Sequence, residues 1–265
     1  MVIFVFLFGL AVGSFLNAVI YRLEAGDSAL RGRSYCPRCK HVLSWQDLVP
    51  VLSFVMLRGK CRYCKGQISP QYPLVEICTA GIFLLSFKFQ VSSLNQASSA
   101  EILNILYLWI ISSFLIVLFV YDLKHYILPD KILFPAIGVV LGYRVSEFLK
   151  FENWDLFGIW SLVFGALGAA SFFLAIFLIS RGKAMGFGDV KLALFMGLFL
   201  GWPNILVALF VAFMLGGAVG GVLILLRKKH MKSEIPFGPF LIAGTFAALF
   251  WGQWIIHWYL RLIWV

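Results

Sequence analysis

Asp122 and Asp189 each stand where a long apolar run meets a short polar, basic loop. Asp122 follows the run 102–121, and Asp189 opens another run after Gly186-Phe187-Gly188. Carboxylates at the edge of a bilayer are costly to keep and point to function. Two that approach one another cannot both ionise cheaply, so one of them holds a proton. The ionised member can activate water, and the protonated member can polarise a carbonyl oxygen. That division of labour is aspartic hydrolysis. Each residue also has a plainer reading. Asp189 fits a helix N-cap or first-turn acid. Asp122 fits an interfacial partner of Lys124 or His125. The histidines His41, His125, His230 and His257 are scattered, and no Ser/His/Asp or Cys/His arrangement competes with the two acids.

Four of the five cysteines form two C-x-x-C pairs, Cys36-Pro37-Arg38-Cys39 and Cys61-Arg62-Tyr63-Cys64. Each such turn brings two thiolates to one metal, and two turns complete a tetrahedral four-cysteine site. Zinc is the expected ion, in a structural role because no coordination position is left open. The alternative is disulfides or idle thiols, which a reducing cytoplasm disfavours. His41 could replace a cysteine, but four thiols suffice. Cys78 falls in an apolar run and reads as packing.

The elements that position these groups must be membrane helices. The 265-residue chain is 62% hydrophobic and 13% charged, with a mean hydropathy of +0.93. Soluble domains are about 45–50% apolar and about 25% charged. Eight apolar spans are predicted, at 2–21, 73–90, 102–121, 131–148, 157–180, 189–201, 204–226 and 237–260, each near the ~20 residues that cross the hydrocarbon core. The sixth is short and Gly-rich, so a partial or tilted helix fits it.

The basic residues then alternate between loops. Loop 22–72 carries Arg22, Arg31, Arg33, Arg38, Lys40, Arg58, Lys60, Arg62 and Lys65. Lys124, Arg181, Lys183 and the run Arg227, Lys228, Lys229 and Lys232 mark three further loops on the same side, whereas loop 149–156 holds Lys150 alone. Positive-inside bias places the first set in the cytoplasm, with both termini outside. The net charge of +10 is thus accounted for by cytoplasmic loops, and no nucleic-acid partner is expected. The first span has no basic region before it and Arg22 directly after it, which favours an uncleaved anchor over a signal peptide. The expected organisation is a first transmembrane helix at 1–21, a four-cysteine loop domain at 22–72, and a multi-span membrane domain at 73–265. The loop domain is too small for its own hydrophobic core and needs a metal staple. No convincing internal repeat is apparent.

Most other acids have ordinary positions. Asp130 follows Pro129 and reads as an N-cap. Glu24, Asp27 and Asp47 lie in the cysteine loop, Glu234 in a basic loop, and Glu101, Glu152 and Asp155 in outer loops. Glu76 remains, an acid at the edge of an apolar segment.

Several motifs resemble the type IV prepilin peptidases, whose fold is an all-α polytopic membrane protein. Gly13-Ser14-Phe15-Leu16-Asn17 with Val19-Ile20-Tyr21-Arg22-Leu23 resembles the opening of that family. The double C-x-x-C loop follows, then Tyr72-Pro73-Leu74-Val75-Glu76. Asp122-Leu123 with Leu128-Pro129-Asp130 is similar to the first aspartate motif, and Gly186-Phe187-Gly188-Asp189 to the GxGD signature. Ile235-Pro236-Phe237-Gly238-Pro239-Phe240 matches the C-terminal block. The resemblance implies an enzyme of the bacterial inner membrane that removes the basic leader of prepilins or pseudopilins, with Asp122 and Asp189 as its catalytic pair. Retention of the cysteine loop implies a second activity, N-methylation of the new terminus from S-adenosylmethionine. No Rossmann-type glycine fingerprint places the methyl donor. Glu76 is the one candidate for that half, and pairing with a loop Arg is its alternative. Recognition of the basic leader is expected to need acids such as Glu24, Asp27 or Asp47. Gly186–Gly188 and Pro236–Pro239 could supply the irregular backbone that admits substrate and water. Competing readings are a proton-coupled transporter, whose acids would lie near mid-span, and an intramembrane aspartyl protease without methyl transfer, which the cysteine loop disfavours.

Overall fold

The structure is a computed structural model of the chain, and it describes residues 1–28, 32–90, 99–149, 156–183, 185–226 and 235–263. Arg31, Lys150, Glu152, Asp155 and the segment 227–234, with Arg227, Lys228, Lys229, His230, Lys232 and Glu234, lie outside the described residues. The elements are α1 (Val2–Ala25), α2 (Leu52–Met56), α3 (Gln71–Gln90), α4 (Ser99–His125), α5 (Asp130–Leu149), α6 (Leu156–Ser180), α7 (Phe187–Leu200), α8 (Asn204–Leu225) and α9 (Gly238–Ile263), with one 3₁₀ turn at Trp45–Leu48. Among the described residues there is no strand, only the isolated bridges Tyr35 to Val42 and Lys60 to Gln67. Among the described residues, seven helices are long and apolar enough to cross a membrane. The all-helical, multi-pass architecture agrees with the sequence reading. The remaining expected span, the sixth, is α7, whose 14 residues reach about 21 Å, short of a hydrocarbon core of roughly 30 Å.

The chain divides into two compact units, Met1–Val117 and Leu118–Val265. In the first, α1 and α3 pack antiparallel with their backbones in close approach. A Cβ added at Gly9 would lie 2.6 Å from the Ala80 Cα, and one at Gly13 2.6 Å from the Glu76 Cα. This is the small-residue seam that membrane helices use, where close backbone packing replaces the hydrophobic drive lost in lipid. Val5, Phe83, Phe87 and Ile105 form the apolar core beside it. Trp109 stacks on Phe83 with ring centroids 4.8 Å apart and donates its indole N–H to the Phe83 carbonyl at 3.2 Å. α1 ends where Gly26 turns left-handed at φ 75.

In the second unit the short α7 packs on α5, α6, α8 and α9. Gly197 meets the Gly165 backbone so closely that any side chain there would collide. A helix that ends inside a bundle must have its last carbonyls satisfied by neighbours. Arg144 of α5 does so, donating from Nη2 to the Phe199 carbonyl at 2.6 Å, with its charge at the negative end of the helix dipole. The Ser161 hydroxyl accepts from the Trp202 N–H at 3.0 Å and donates to the Trp202 carbonyl at 2.7 Å. Replacing Arg144 with Met is expected to lower stability by about 1–3 kcal/mol, the scale of one hydrogen bond from a charged donor. Thermal unfolding in detergent measures it, and an unchanged midpoint would refute the capping role.

Candidate active site and metal centre

The second unit gathers the two aspartates at one end of its helices. Asp122 lies one turn before the C-terminus of α4, so it is helical rather than the first loop residue. The polar loop that follows is correspondingly short, residues 126–129. Asp122 is 4% exposed, and Asp189 is 8% exposed. Asp189 is the third residue of α7, whose N-cap is Gly186, and it reaches back to the Gly186 backbone N–H. An acid at that position satisfies an orphan donor and is favoured by the helix dipole. Its plainer sequence reading as a first-turn acid is therefore also correct. The same carboxylate is within electrostatic reach of Asp122, so the local role and the pairing coexist.

Leu128 and two glycines set the spacing. A Cβ on Gly188 would lie 3.2 Å from the Leu128 Cβ, and one on Gly238 would lie 3.5 Å from the Leu128 Cδ2. The Gly238 N–H donates to the Asp122 carboxylate, and any Cβ at Gly238 would strike the Asp122 Oδ2. Gly238 starts α9 after the irregular stretch 235–237. Phe237 before it packs on Phe213 at 5.2 Å and Phe173 at 6.2 Å. Gly238→Ala is therefore expected to lower hydrolysis by about 100-fold, since displacing a catalytic group by ~1 Å costs that much. Steady-state cleavage kinetics test it; activity within a factor of about two of wild type would show that Asp122 tolerates displacement.

Asp130 departs from its expected capping role. It opens α5, and its carboxylate takes Lys191 of α7, with Nζ 2.7 Å from Oδ1 and 2.8 Å from Oδ2. Pro129 supplies the carbonyl that starts the helix, accepting from Ile132 and Leu133. Lys191 also lies over the Phe134 ring at 5.2 Å and the Phe187 ring at 5.3 Å. The cation thus ties the first turn of α7, which bears Asp189, to the start of α5.

The first unit holds the cysteines. The two C-x-x-C segments form the same hairpin twice, offset by 25 positions. The Cys36 N–H donates to the His41 carbonyl at 2.9 Å and Lys40 N–H to the Cys36 carbonyl at 2.9 Å; Cys61 with Gly66 and Lys65 with Cys61 repeat this at 2.8 and 3.0 Å. Lys40 and Lys65 are both left-handed, at φ 58 and 56. This is an internal repeat that the sequence reading missed, because only the cysteines and the lysine after each pair match. The four sulfurs lie within 4.8 Å of one another, and Cys36 Sγ is 3.9 Å from Cys64 Sγ. Tetrahedral zinc with bonds of about 2.3 Å sets sulfurs roughly 3.8 Å apart, so this donor set fits such an ion. None of the four is in a disulfide.

Asp47 joins the linker to the second hairpin. Its side chain, 4% exposed, accepts from the Ser44 N–H at 3.2 Å, Ser44 Oγ at 2.8 Å, Arg62 Nε at 2.7 Å and Tyr63 hydroxyl at 3.2 Å. This commitment corrects its expected role as a leader-receiving acid. Asp27 likewise accepts from the Tyr35 hydroxyl at 3.3 Å. Burial pushes the Asp47 carboxyl up, but these donors outweigh it and hold its pKa below the usual value. A depressed pKa stabilises the fold above the unfolded value, and the gain is lost as pH falls through the folded one. The stability difference between wild type and Asp47→Asn should accordingly be full near neutrality and shrink below about pH 4. Proteolysis of the loop across pH measures it, and a difference that grows on acidification would contradict the assignment.

Glu76 is 6% exposed and, among the described residues, does not pair with a loop Arg. Its Oε2 accepts the Val51 N–H at 2.7 Å, and the Ser14 hydroxyl also bonds the carboxylate. The sequence offered a clue to this contact that was not taken: Gly9, Gly13 and Asn17 recur every four residues, which puts them on one helical seam.

Comparison with known proteins identifies the family. Residues 7–89 match the family described as Bacterial Peptidase A24 N-terminal domain, and residues 109–221 match the Type IV leader peptidase family. A prepilin leader peptidase/N-methyltransferase of Aeromonas hydrophila is 34% identical over 97% of this chain and 92% of its own length. The protein of that name from Pseudomonas aeruginosa is 32% identical over 96% and 92%, and that from Legionella pneumophila 31% over 96% and 92%. No solved structure matches.

Proposed function

The chain belongs to the type IV leader peptidase family, and on that premise we propose that it cleaves the leader from prepilins or pseudopilins and N-methylates the new terminus. Asp122 and Asp189 are the catalytic pair. The observation that carries this reading is their burial in one unit within electrostatic reach of each other. One carboxylate, ionised, takes a proton from water, whose oxygen attacks the scissile carbonyl carbon. The other, protonated, donates to the carbonyl oxygen as it becomes tetrahedral. Collapse breaks the C–N bond, and the departing amine takes up a proton. The Gly238 N–H holds Asp122 in place, and the α7 dipole together with Gly186 does so for Asp189.

Residues 22–72 form the loop domain, where Cys36, Cys39, Cys61 and Cys64 hold a structural zinc ion. A bound Zn2+ would offset half of the charge of the four thiolates and would fix the two hairpins together. S-adenosylmethionine supplies an electrophilic methyl group when bound. The protein resides in the inner membrane with the aspartates and the zinc module facing the cytoplasm, in contact with membrane lipid. The excess of Lys and Arg in these loops supports this orientation through the positive-inside bias.

The test incubates purified protein with a candidate prepilin, with and without S-adenosylmethionine, and reads the new N-terminus by mass spectrometry. A shortened chain that gains a methyl group only with the donor is expected. Cleavage without methylation would leave the peptidase and remove the second activity. An intact prepilin in both samples would remove both.

A further inference from the structure

The seam between α1 and α3 carries polar groups that peptide hydrolysis does not use. In the register that sets Gly9 on Ala80 and Gly13 on Glu76, Asn17 falls opposite Tyr72, and its Nδ2 donates to the Tyr72 carbonyl at 3.0 Å. That bond orients the amide. Its other end, Oδ1, is buried without a hydrogen-bond partner among the described residues, in a residue 3% exposed. One turn away on the same seam is the Glu76 carboxylate, bonded only to the neutral donors of Val51 and Ser14. Among the described residues no Lys, Arg or His pairs with it.

A buried carboxylate without a cation and a buried carbonyl oxygen without a donor are both costly to leave unmatched. Their complement is a group with positive charge and several N–H donors. A neutral amide would leave the charge uncompensated. A sulfonium would bring charge but no donor for Asn17. We propose that Asn17, Glu76 and Ser14 form a binding site for a primary ammonium group. Val51, whose N–H shares the carboxylate, is held at φ 59 and ψ −49, which a β-branched residue rarely adopts. The turn above the site is thus poised to move when Glu76 takes another partner.

The identity of the ligand rests on the methyl-transfer reading, which offers two sources of this chemistry. One is the α-amine of the newly cut chain, and the other is the amino-acid ammonium of S-adenosylmethionine. The test titrates the full-length protein in detergent with S-adenosylmethionine and, separately, with a peptide bearing a free mature pilin N-terminus. The N-acetylated peptide is the control. Glu76→Gln keeps the shape and the acceptor for Val51 but removes the charge, and Asn17→Ala removes the orphan oxygen. Each is expected to weaken one ligand by roughly 10- to 100-fold, the scale of a lost charged hydrogen bond. Binding of the acetylated peptide should stay unchanged, and leader cleavage reports that the variants are folded. Loss for S-adenosylmethionine identifies the donor's ammonium, and loss for the free-amine peptide identifies the substrate's. Wild-type affinity for both ligands in both variants would overturn the site, as would a wild type that binds neither. A wild type that binds but transfers no methyl group would sink the methyl-transfer reading while leaving the site standing.

Discussion

Asp122→Asn or Asp189→Asn alone is expected to lower leader cleavage by at least about three orders of magnitude, and the double variant to lose little more. Residues that act as a unit are grossly non-additive. The mechanism needs one ionised and one protonated carboxyl, and an amide can replace neither through the cycle. Asparagine keeps the size of the side chain, and at position 189 its oxygen can still accept from Gly186. The fold should therefore persist, with helical content by circular dichroism as the check. Cleavage of a prepilin in membranes, followed by mass spectrometry, gives the rate. Normal cleavage by either variant would remove that residue from the chemistry. Asp130→Asn separates the pair from its surroundings: it weakens only the Lys191 contact, which is partly exposed and worth about 1 kcal/mol or less. It should cleave within a factor of a few of wild type.

Loss of the metal is the second large effect. Cys36→Ser, or treatment with a strong zinc chelator, should release the ion and open residues 32–68 to protease. Structural zinc contributes on the order of 10 kcal/mol to small modules of this kind, and little else holds this one. Asp47 and the paired hairpins supply a handful of hydrogen bonds, and Trp45, Val55 and Met56 are exposed, so among the described residues no apolar core forms there. Methyl transfer is expected to fall further than leader cleavage, because the aspartates belong to the other compact unit. Elemental analysis measures the metal, and the prepilin assay measures both activities. Full zinc content in Cys36→Ser would rule out a four-cysteine site, and equal losses of both activities would show that the module serves both.

Membrane helices are legible in a sequence because their physics is one-dimensional. An apolar run long enough to span lipid must satisfy its own backbone, and a helix is the simplest way to do so. The seven long helices follow from that alone, and α7 stood out already as too short. The C-x-x-C pairs are legible for a related reason, since two ligands three residues apart can reach one ion only through a tight turn. Asp130 was misread because its capping role and its bond to Lys191 look the same in sequence. Asp47 was misread because nothing local distinguishes an exposed loop acid from one surrounded by four donors.

The sequence by itself determined the membrane class and, through its ordered motifs, the family, and it singled out the four cysteines and the two aspartates as candidates. Each of these rests on composition or on residues near one another in the chain. Only the tertiary structure decided that Gly238 sits against Asp122, that Arg144 caps α7, that Asp47 binds the second hairpin, and that Asn17 and Glu76 share a seam without a cation among the described residues. Those contacts join residues far apart in sequence, through close backbone approaches and hydrogen bonds that no local pattern encodes. The choice between a carboxylate that stabilises and one that reacts depends on what surrounds it, and packing alone sets those surroundings.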